Sequence, residues 1–577
     1  MSLQALIQYA FFLLLLTLLV KPLGGYMARV FQGQRTFLDP ALGPIERLLY
    51  RVARVDARQE MDWKQYAISF VLFGSCGTLL LYGILRLQRL PWFYPAYQNT
   101  PLTPDLSMNT AISFSTTTTW QAYGGETTMS YFSQMVGLTA QNFLAGAAGL
   151  AIGVAFIRGV VRQKTDKLGN FWVDVVRALL WVLLPLALAG ALVLVWQGVP
   201  MNFHPYTQVS TVEGASQTIA QGPVAAMEII KNLGTNGGGF FNANGAHPYE
   251  NPTPLTNLIA MLAIAALPAA FTNTFGRMVG NPRQGWTLYA VMTVLFVAGL
   301  VVCGCNEQKG NRILQQQAQV RASATANQPG GNMEGKEVRF GITQSVLAAV
   351  VTSNGATGSY NSMHDSYTAL GGAVPLVNML LGEIVYGGLG TGLYSIILIA
   401  LLGLLLAGLM VGRTPQYLGK TIGPTEAKML TLYILATPLA VLPLTALAVA
   451  TKLGHAGLTT NTGAHGLTEI IFAFASSVAN NGQSFAGLNA NTTFYNLTTA
   501  VAMMVGRFGL AIPALALARL FAAQARRYAG EGTIPTDTLI FGALLFATAL
   551  IVCGLSFFPA LTLGPILEHL AGFRPLA

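Results

Sequence analysis

The stretch Lys231–Pro248, KNLGTNGGGFFNANGAHP, decides how this chain is read. Three consecutive glycines, Gly237 to Gly239, and a pair of phenylalanines stand among Thr, Asn and Ala, with long apolar runs on both sides. Glycine adopts left-handed backbone angles without the steric penalty other residues meet. The segment is therefore built for an unusual backbone path, and its flanks say where that path must run.

Those flanks are membrane spans. Of 577 residues, 53% are hydrophobic and only 9% charged, and the mean hydropathy is +0.52. A soluble protein carries about a quarter charged residues. A helix needs about 20 apolar residues to cross the hydrocarbon core. Ten runs qualify: 3–22, 65–87, 131–157, 173–197, 255–276, 285–303, 391–411, 428–450, 494–521 and 539–561. The chain is predicted to be an all-α polytopic membrane protein. Its net charge of +10 does not point to nucleic acid, because the basic residues crowd every second loop. Arg29, Arg47, Arg51 and Arg54 lie in the first, Arg158, Arg162 and Lys164 in the third, Arg277 and Arg283 in the fifth, Arg413 and Lys420 in the seventh, Arg526 and Arg527 in the ninth. This positive-inside pattern predicts that those loops are cytoplasmic and the N-terminus outside. The first run lacks a basic flank and a small-residue cleavage site, so it is expected to be a retained helix and not a signal peptide. Cys76, Cys303, Cys305 and Cys553 lie in or beside apolar runs and are expected to be small core residues.

The alternate loops repeat a pattern. MNTAISFSTTTTWQAYGG (108–125), AAMEIIKNLGTNGGGFFNANGAHP (225–248), TQSVLAAVVTSNGATGSYNSMHDS (343–366) and TEIIFAFASSVANNGQSFAGLNAN (468–491) each join a short helical run to a Gly/Thr/Asn/Ser-rich segment between two spans. The expected architecture is four span–pore helix–span repeats around one pore, plus one extra helix at each end. The divisions are 1–64 for the first span and its basic loop, 65–158, 173–277, 285–412 and 428–521 for the repeats, and 538–577 for the last span and tail.

Irregular backbone at membrane depth is tolerated only where it is buried in protein or lines a watery cavity. A short helix that ends in a Gly/Thr loop can aim successive carbonyls at one axis, and a ring of such loops replaces the water shell of a cation. The helix C-terminus adds partial negative charge. Neutral oxygen ligands suit an alkali cation, whereas a doubly charged ion calls for carboxylates, and none lies in the four polar cores STTTTWQ (115–121), GTNGGG (234–239), GATGS (355–359) and NNGQS (480–484). For one loop alone, ordinary loop composition is the better account. Four in matching positions favour a filter.

A second feature is GEIVYGGLGTGLYS, 382–395, which follows the apolar run 373–381. Gly387, Gly388, Gly390 and Gly392 interrupt what would otherwise be one long helix. A broken helix inside a membrane exposes backbone groups and commonly lines a pathway; a plain turn before the span is the other reading. Arg507, in MMVGRFGLAIP, is a lone cation within the ninth run. It is either functional or a snorkelling residue.

The segments TNGGGFFNANGAHPYENPTP (235–254), SYFSQMVGLTAQNF (130–143), NSMHDSYTALGG (361–372), GRTPQYLGK (412–420) and NNGQSFAGLNANT (480–492) closely resemble the KdpA family, the potassium-binding subunits of bacterial Kdp potassium pumps. The resemblance covers essentially the whole chain. It implies the fold of the Trk/Ktr/HKT potassium-transporter superfamily, residence in the bacterial inner membrane among its lipids, and assembly with a P-type ATPase subunit (KdpB), a single-span subunit (KdpC) and a small peptide (KdpF). The implied ligand is potassium, as substrate. The implied filter residues are Thr116, Thr117, Thr118, Thr119 and Gln121 in the first loop and Thr235, Asn236, Gly237 and Gly238 in the second. Thr357, Gly358 and Ser359 follow in the third, and Asn480, Asn481 and Gly482 in the fourth. Family members often carry asparagine where this chain has Thr117 and Thr119, which a filter of main-chain carbonyls tolerates. The resemblance also favours a gating loop at Gly387–Gly392, with Glu383 and Arg413 as the charges that pin it; Arg507, as an intramembrane cation, is grouped with this gate.

No G-x-x-x-x-G-K-[ST] phosphate loop occurs, so no nucleotide is expected on this chain. The sequence TDKLG, 165–169, lies in a short basic loop with no room for a nucleotide domain. His364–Asp365 is expected to be a hydrogen-bonded structural pair at the pore mouth in preference to a proton relay or metal pair. Residues 306–336 read as an external excursion. The chain is expected to bind and conduct while a partner supplies energy. A self-sufficient potassium channel or ion-coupled transporter is the alternative; a membrane-embedded enzyme is disfavoured by the lack of a catalytic constellation.

Overall fold

The computed structural model describes residues 2–90, 100–317, 321–325, 328, 330–412, 414–527 and 534–572. Among them, ten helices are long and apolar enough to cross a membrane: Leu3–Phe31, Trp63–Leu87, Ser133–Val161, Phe171–Trp196, Pro254–Val279, Pro282–Lys309, Thr391–Val411, Pro424–Ala450, Thr493–Ala523 and Leu539–Ala571. Each corresponds to one of the ten apolar runs. The first continues past Lys21 and Pro22 to Phe31, because backbone hydrogen bonding does not stop where the apolar run does.

Four shorter helices, Pro104–Ser115, Val224–Leu233, Gly341–Asn354 and Gly463–Val478, fall between spans. With 10 to 16 residues each and about 1.5 Å of rise per residue, they cannot cross the hydrocarbon core. The first starts at the N-cap Thr103, whose hydroxyl accepts from Leu106 N–H, with Pro104 at the first helical position, where its missing N–H leaves no bond unmade.

Burial separates the spans into two classes. The span that follows each short helix is mostly enclosed, with 83, 72, 61 and 61% of its apolar stretch buried for the third, fifth, seventh and ninth. The span that precedes each is more open, at 22, 33, 50 and 28%. The inner spans can pack closely because they are rich in small residues; the third reads AQNFLAGAAGLAIGVAF from Ala140 to Phe156. The outer spans show Leu, Ile and Val to the surroundings, as lipid requires.

The basic loops gather on one face. Met61–Asp62 pairs antiparallel with Lys167–Gly169, Arg162 Nη2 lies 2.6 Å from Glu60 Oε1, and Lys420 Nζ donates to the carbonyls of Arg162 and Gln524 at 2.6 and 3.0 Å. In the first of these loops the helix Asp39–Val52 exposes Ile45, Leu48, Leu49 and Val52.

One expectation needs correction. Cys303 and Cys553 are buried, but Cys76 is exposed on the open second span and Cys305 only half buried. The ends of the segment 306–336 are tied together, with Lys336 Nζ 2.7 Å from the buried Glu307 carboxylate and Asn332 Nδ2 donating to the same oxygen at 2.8 Å.

Candidate functional site

The four short helices are capped at their C-termini by Thr116, Gly234, Gly355 and Ala479. The next residue of each loop, Thr117, Thr235, Ala356 or Asn480, has a positive φ of 67°, 49°, 49° or 50°. Two residues on, Thr119, Gly237 and Gly482 again lie at positive φ, 52°, 97° and 84°. Alternation between right- and left-handed backbone angles turns successive carbonyls toward the same side, which is the geometry a carbonyl-lined filter needs. Gly358 stands at the equivalent place in the third loop without a positive φ, so glycine is required there for space and not for backbone angle.

The loops interlock. A Cβ on Gly237 would fall on the backbone of Gly358; on Gly358 it would lie 2.9 Å from Gly482 C and 3.0 Å from Asn481 O; on Gly482 it would meet the Thr118 carbonyl. The second loop thus abuts the third, the third the fourth, and the fourth the first. Hydrogen bonds close the circuit. Thr119 Oγ1 donates to Asn236 O at 2.7 Å, Gly358 N–H to the same carbonyl at 3.2 Å, Asn480 Nδ2 to Thr118 Oγ1 at 2.9 Å, and Asn481 Nδ2 to Thr352 O and Ser353 O at 3.2 Å each. Thr117, Thr119 and Thr235 hold left-handed angles despite β-branching, a conformation that costs about 1–2 kcal/mol per residue. It persists because the surrounding contacts over-determine it.

The remaining expected residues fall into place around this ring. Thr116 Oγ1 lies 2.8 Å from Thr118 Oγ1. Gln121 clamps Gly239, accepting its N–H at 2.8 Å and donating to its carbonyl at 3.1 Å. Asn244 Nδ2 donates to Gly238 O at 2.6 Å. Thr357 Oγ1 donates to Gly355 O at 2.8 Å, and Ser359 is buried beside Gly358.

Behind the second loop is a charged group that the sequence analysis missed. Lys231 Nζ is fully buried 2.6 Å from both Glu228 and Glu250 and donates to Asn244 Oδ1 at 2.8 Å. Glu250 in turn accepts from Phe241 N–H at 2.8 Å. A Lys three residues after a Glu, on a short helix between membrane spans, was the available signal, since buried charges must be paired.

Just inside the ring lies a cavity of about 20 Å³, room for about one water by the usual measure. Thr117, Thr235, Ala356 and Asn480, one residue from each loop, line it. Gly388, Leu389, Glu383 and Arg507 line it as well. The interrupted helix is real: Ala369–Leu380 stops, 381–390 form an irregular segment, and Thr391–Val411 resumes. The segment is buried within the bundle, which excludes the plain external turn. Its fit is close. Gly390 has φ of 90°, a Cβ on Gly149 would lie 2.5 Å from Leu389 O, and one on Gly153 would lie 2.8 Å from Gly390 Cα. Gly392 packs on Gly387, and Gly387 on the Glu383 carbonyl.

Arg507 does not snorkel. It is buried in a widened helical turn, Val505–Gly509, donating from Nη1 to Thr117 Oγ1 at 3.2 Å and from Nη2 to Ala145 O at 2.8 Å. Arg413 lies outside the described residues. The expected His364–Asp365 hydrogen bond does not form. Neither ring nitrogen of His364 has a partner among the described residues. Its ring packs against Tyr360 and Tyr367 at 5.8 and 5.3 Å between centroids, and burial pushes its pKa down to about 3.

Known proteins share both sequence and shape with this chain. The family model described as KdpA: Potassium-transporting ATPase A subunit matches residues 10–570. A protein of Methylorubrum extorquens named potassium-transporting ATPase potassium-binding subunit is 53% identical over 572 residues, covering 99% of this chain and 98% of the relative. A Methylobacterium nodulans protein of the same name is 55% identical over 554 residues, 96% of this chain and 95% of its own length. A Bradyrhizobium diazoefficiens protein, also so named, is 52% identical over 571 residues and 99% of both chains. Among solved structures, the crystal structure of the potassium transporter TrkH from Vibrio parahaemolyticus matches with a TM-score of 0.50 at 14% identity, covering 78% of this chain and 84% of that one.

Proposed function

Because this chain belongs to the family of potassium-transporting ATPase A subunits, KdpA, we propose that it is the channel-like, potassium-binding subunit of an ATP-driven potassium uptake pump. The observation that carries this reading is the shared cavity: four equivalent left-handed residues, one from each loop, converge on it. Four loops that bend alike around one point define an axis, and oxygen atoms without net charge along that axis suit an alkali cation. Thr116–Thr119, Gln121, Thr235–Gly238, Thr357–Ser359 and Asn480–Gly482 form the potassium filter. The segment around Gly387–Gly392, with Glu383 and Arg507 beside it, gates the inward path.

The family name implies a complex with an ATPase, and the partners are a P-type ATPase subunit (KdpB), a single-span subunit (KdpC) and a small peptide (KdpF). The chain lies in the bacterial inner membrane with its N-terminus outside and its basic loops in the cytoplasm, as their clustering on one face supports. Fuel is needed when external potassium is scarce. Each tenfold ratio opposes uptake by about 1.4 kcal/mol, while the membrane potential assists a cation by about 2.3 kcal/mol per 100 mV.

ATPase rate against potassium concentration tests the reading. The isolated chain should hydrolyse no ATP. The complex should show potassium-stimulated hydrolysis, and Gly237→Ser should move its half-saturating potassium concentration up at least tenfold and weaken discrimination against rubidium and sodium. Hydrolysis by the chain alone, or a partner whose potassium response ignores Gly237→Ser, would overturn it and leave a self-sufficient transporter.

A further inference from the structure

At the face that carries the filter loops, three elements meet in a cluster that neither the filter nor the gate uses. Asp365 comes from the segment after the third loop, His465 and Glu469 from the start of the fourth short helix, and Glu568 from the end of the tenth span. One donor atom each of Asp365, His465 and Glu469 lies within 4.8 Å of the other two. His465 Nε2 is 2.8 Å from Asp365 Oδ1, and its Nδ1 is 2.9 Å from Glu568 Oε1.

Three carboxyl groups around one imidazole leave an excess of negative charge in a poorly solvated place. Asp365 is 8% and Glu568 15% exposed at the side chain, and Glu469 is 1% exposed. Asn461 Nδ2 donates both to Glu469 Oε1 at 2.9 Å and to Asp365 Oδ2 at 3.1 Å, so one amide holds the two carboxyl groups toward each other. Gly487 roofs them: a Cβ there would lie 2.6 Å from Glu469 Oε1 and 2.8 Å from Asp365 Oδ1. The second oxygen of Glu469, Oε2, is buried without a hydrogen-bond partner among the described residues. A buried carboxylate oxygen with no donor is an unmet demand for positive charge.

We propose that Asp365, His465 and Glu469 bind a divalent transition-metal ion of the zinc class, which staples the third loop, the fourth short helix and the tenth span together at the outer mouth of the pore. The donor chemistry selects the ion. An imidazole nitrogen with two carboxylate oxygens is a set that zinc accepts, with one position left for water; calcium takes six to eight oxygens, and potassium has no use for the imidazole. The outer partners are those a metal-bound histidine needs. With a carboxylate at each ring nitrogen, His465 carries two N–H protons; the ion displaces the Nε2 proton to solvent and takes that lone pair, while Glu568 keeps the Nδ1 proton and orients the ring. Donors about 2.0–2.2 Å from a tetrahedral zinc stand roughly 3.4 Å apart, so binding parts His465 Nε2 from Asp365 Oδ1, 2.8 Å away, and draws in donors that stand as much as 4.8 Å apart.

The test uses the untagged pump complex, stripped with chelator and titrated with zinc chloride in the calorimeter, in parallel with cobalt(II) chloride followed by visible absorption. One equivalent should bind, cobalt should develop the strong bands of a tetrahedral site, and potassium should not compete. Glu469→Gln and His465→Gln should each weaken binding by at least a hundredfold, and Glu568→Gln, which touches only the far ring nitrogen, by about 10–100-fold. Zinc should raise the melting temperature of the wild type and leave that of Glu469→Gln unchanged. No saturable binding, equal affinity in Glu469→Gln, or only weak octahedral cobalt bands would overturn the proposal and assign the carboxyl pair a shared proton. The cobalt spectrum of the wild type decides the matter even if a variant does not fold.

Discussion

The backbone N–H of Leu389 donates to the hydroxyl of Thr235 across 2.8 Å, between residues 154 apart in sequence. Thr235 opens the second polar loop, and Leu389 lies in the glycine-rich break; both line the same cavity. The two devices therefore share a hydrogen bond, and a shift of either loop is felt by the other. Thr235→Val removes the acceptor and leaves a buried N–H unpaired, at a cost of about 1–3 kcal/mol. Potassium flux without ATP should rise severalfold in this variant, whereas Thr235→Ser, which keeps the oxygen, should stay coupled. Flux in proteoliposomes with and without ATP is the measurement; equal leak in the Val and Ser variants would count against a shared bond.

The first loop holds Thr119 where two of the other three loops use a glycine at positive φ. Thr119→Gly should relieve about 1–2 kcal/mol of backbone strain but lose the 2.7 Å bond to Asn236 O. Thr119→Val keeps the strain and loses the bond as well. Potassium affinity of the complex should therefore fall in the order wild type, Thr119→Gly, Thr119→Val, with the last at least tenfold weaker. A Val variant with wild-type affinity would show that Thr119 does not help set the ring.

Lys231 faces two carboxylates in complete burial. Lys231→Met leaves both unpaired and should destabilise the chain by about 3–5 kcal/mol, with weaker potassium binding because Asn244 loses the ammonium that orients it toward Gly238 O. Adding Glu228→Gln and Glu250→Gln to Lys231→Met should recover much of the stability and less of the affinity. Thermal unfolding in detergent and potassium titration separate the two effects.

Deletion of residues 387–390 removes Gly388 and Leu389 from the cavity lining. Transport should become a leak: passive rubidium uptake rises at least tenfold and no longer follows ATP, while filter selectivity is kept. Fully coupled uptake in the deleted chain would remove this segment from the gate.

The sequence by itself determined the membrane class, the ten spans and the four matched polar loops, because each rests on composition or local periodicity. Even the break before Thr391 was legible, since Gly387, Gly388, Gly390 and Gly392 crowd one stretch. What the tertiary structure decided are pairings between residues far apart in the chain. That Gly358 is needed for room and not for angle follows from Gly482 packing on it. That Arg507 reaches Thr117, 390 residues away, could not be told from snorkelling by its position in a span. That Lys231 is held by Glu250 as well as Glu228, and that His465 rather than His364 engages Asp365, depends on how helices and loops close around the axis. A local pattern fixes which backbone bends and which face is apolar; the partner of a buried polar atom is set by whichever distant segment packing brings within 3 Å or so of it.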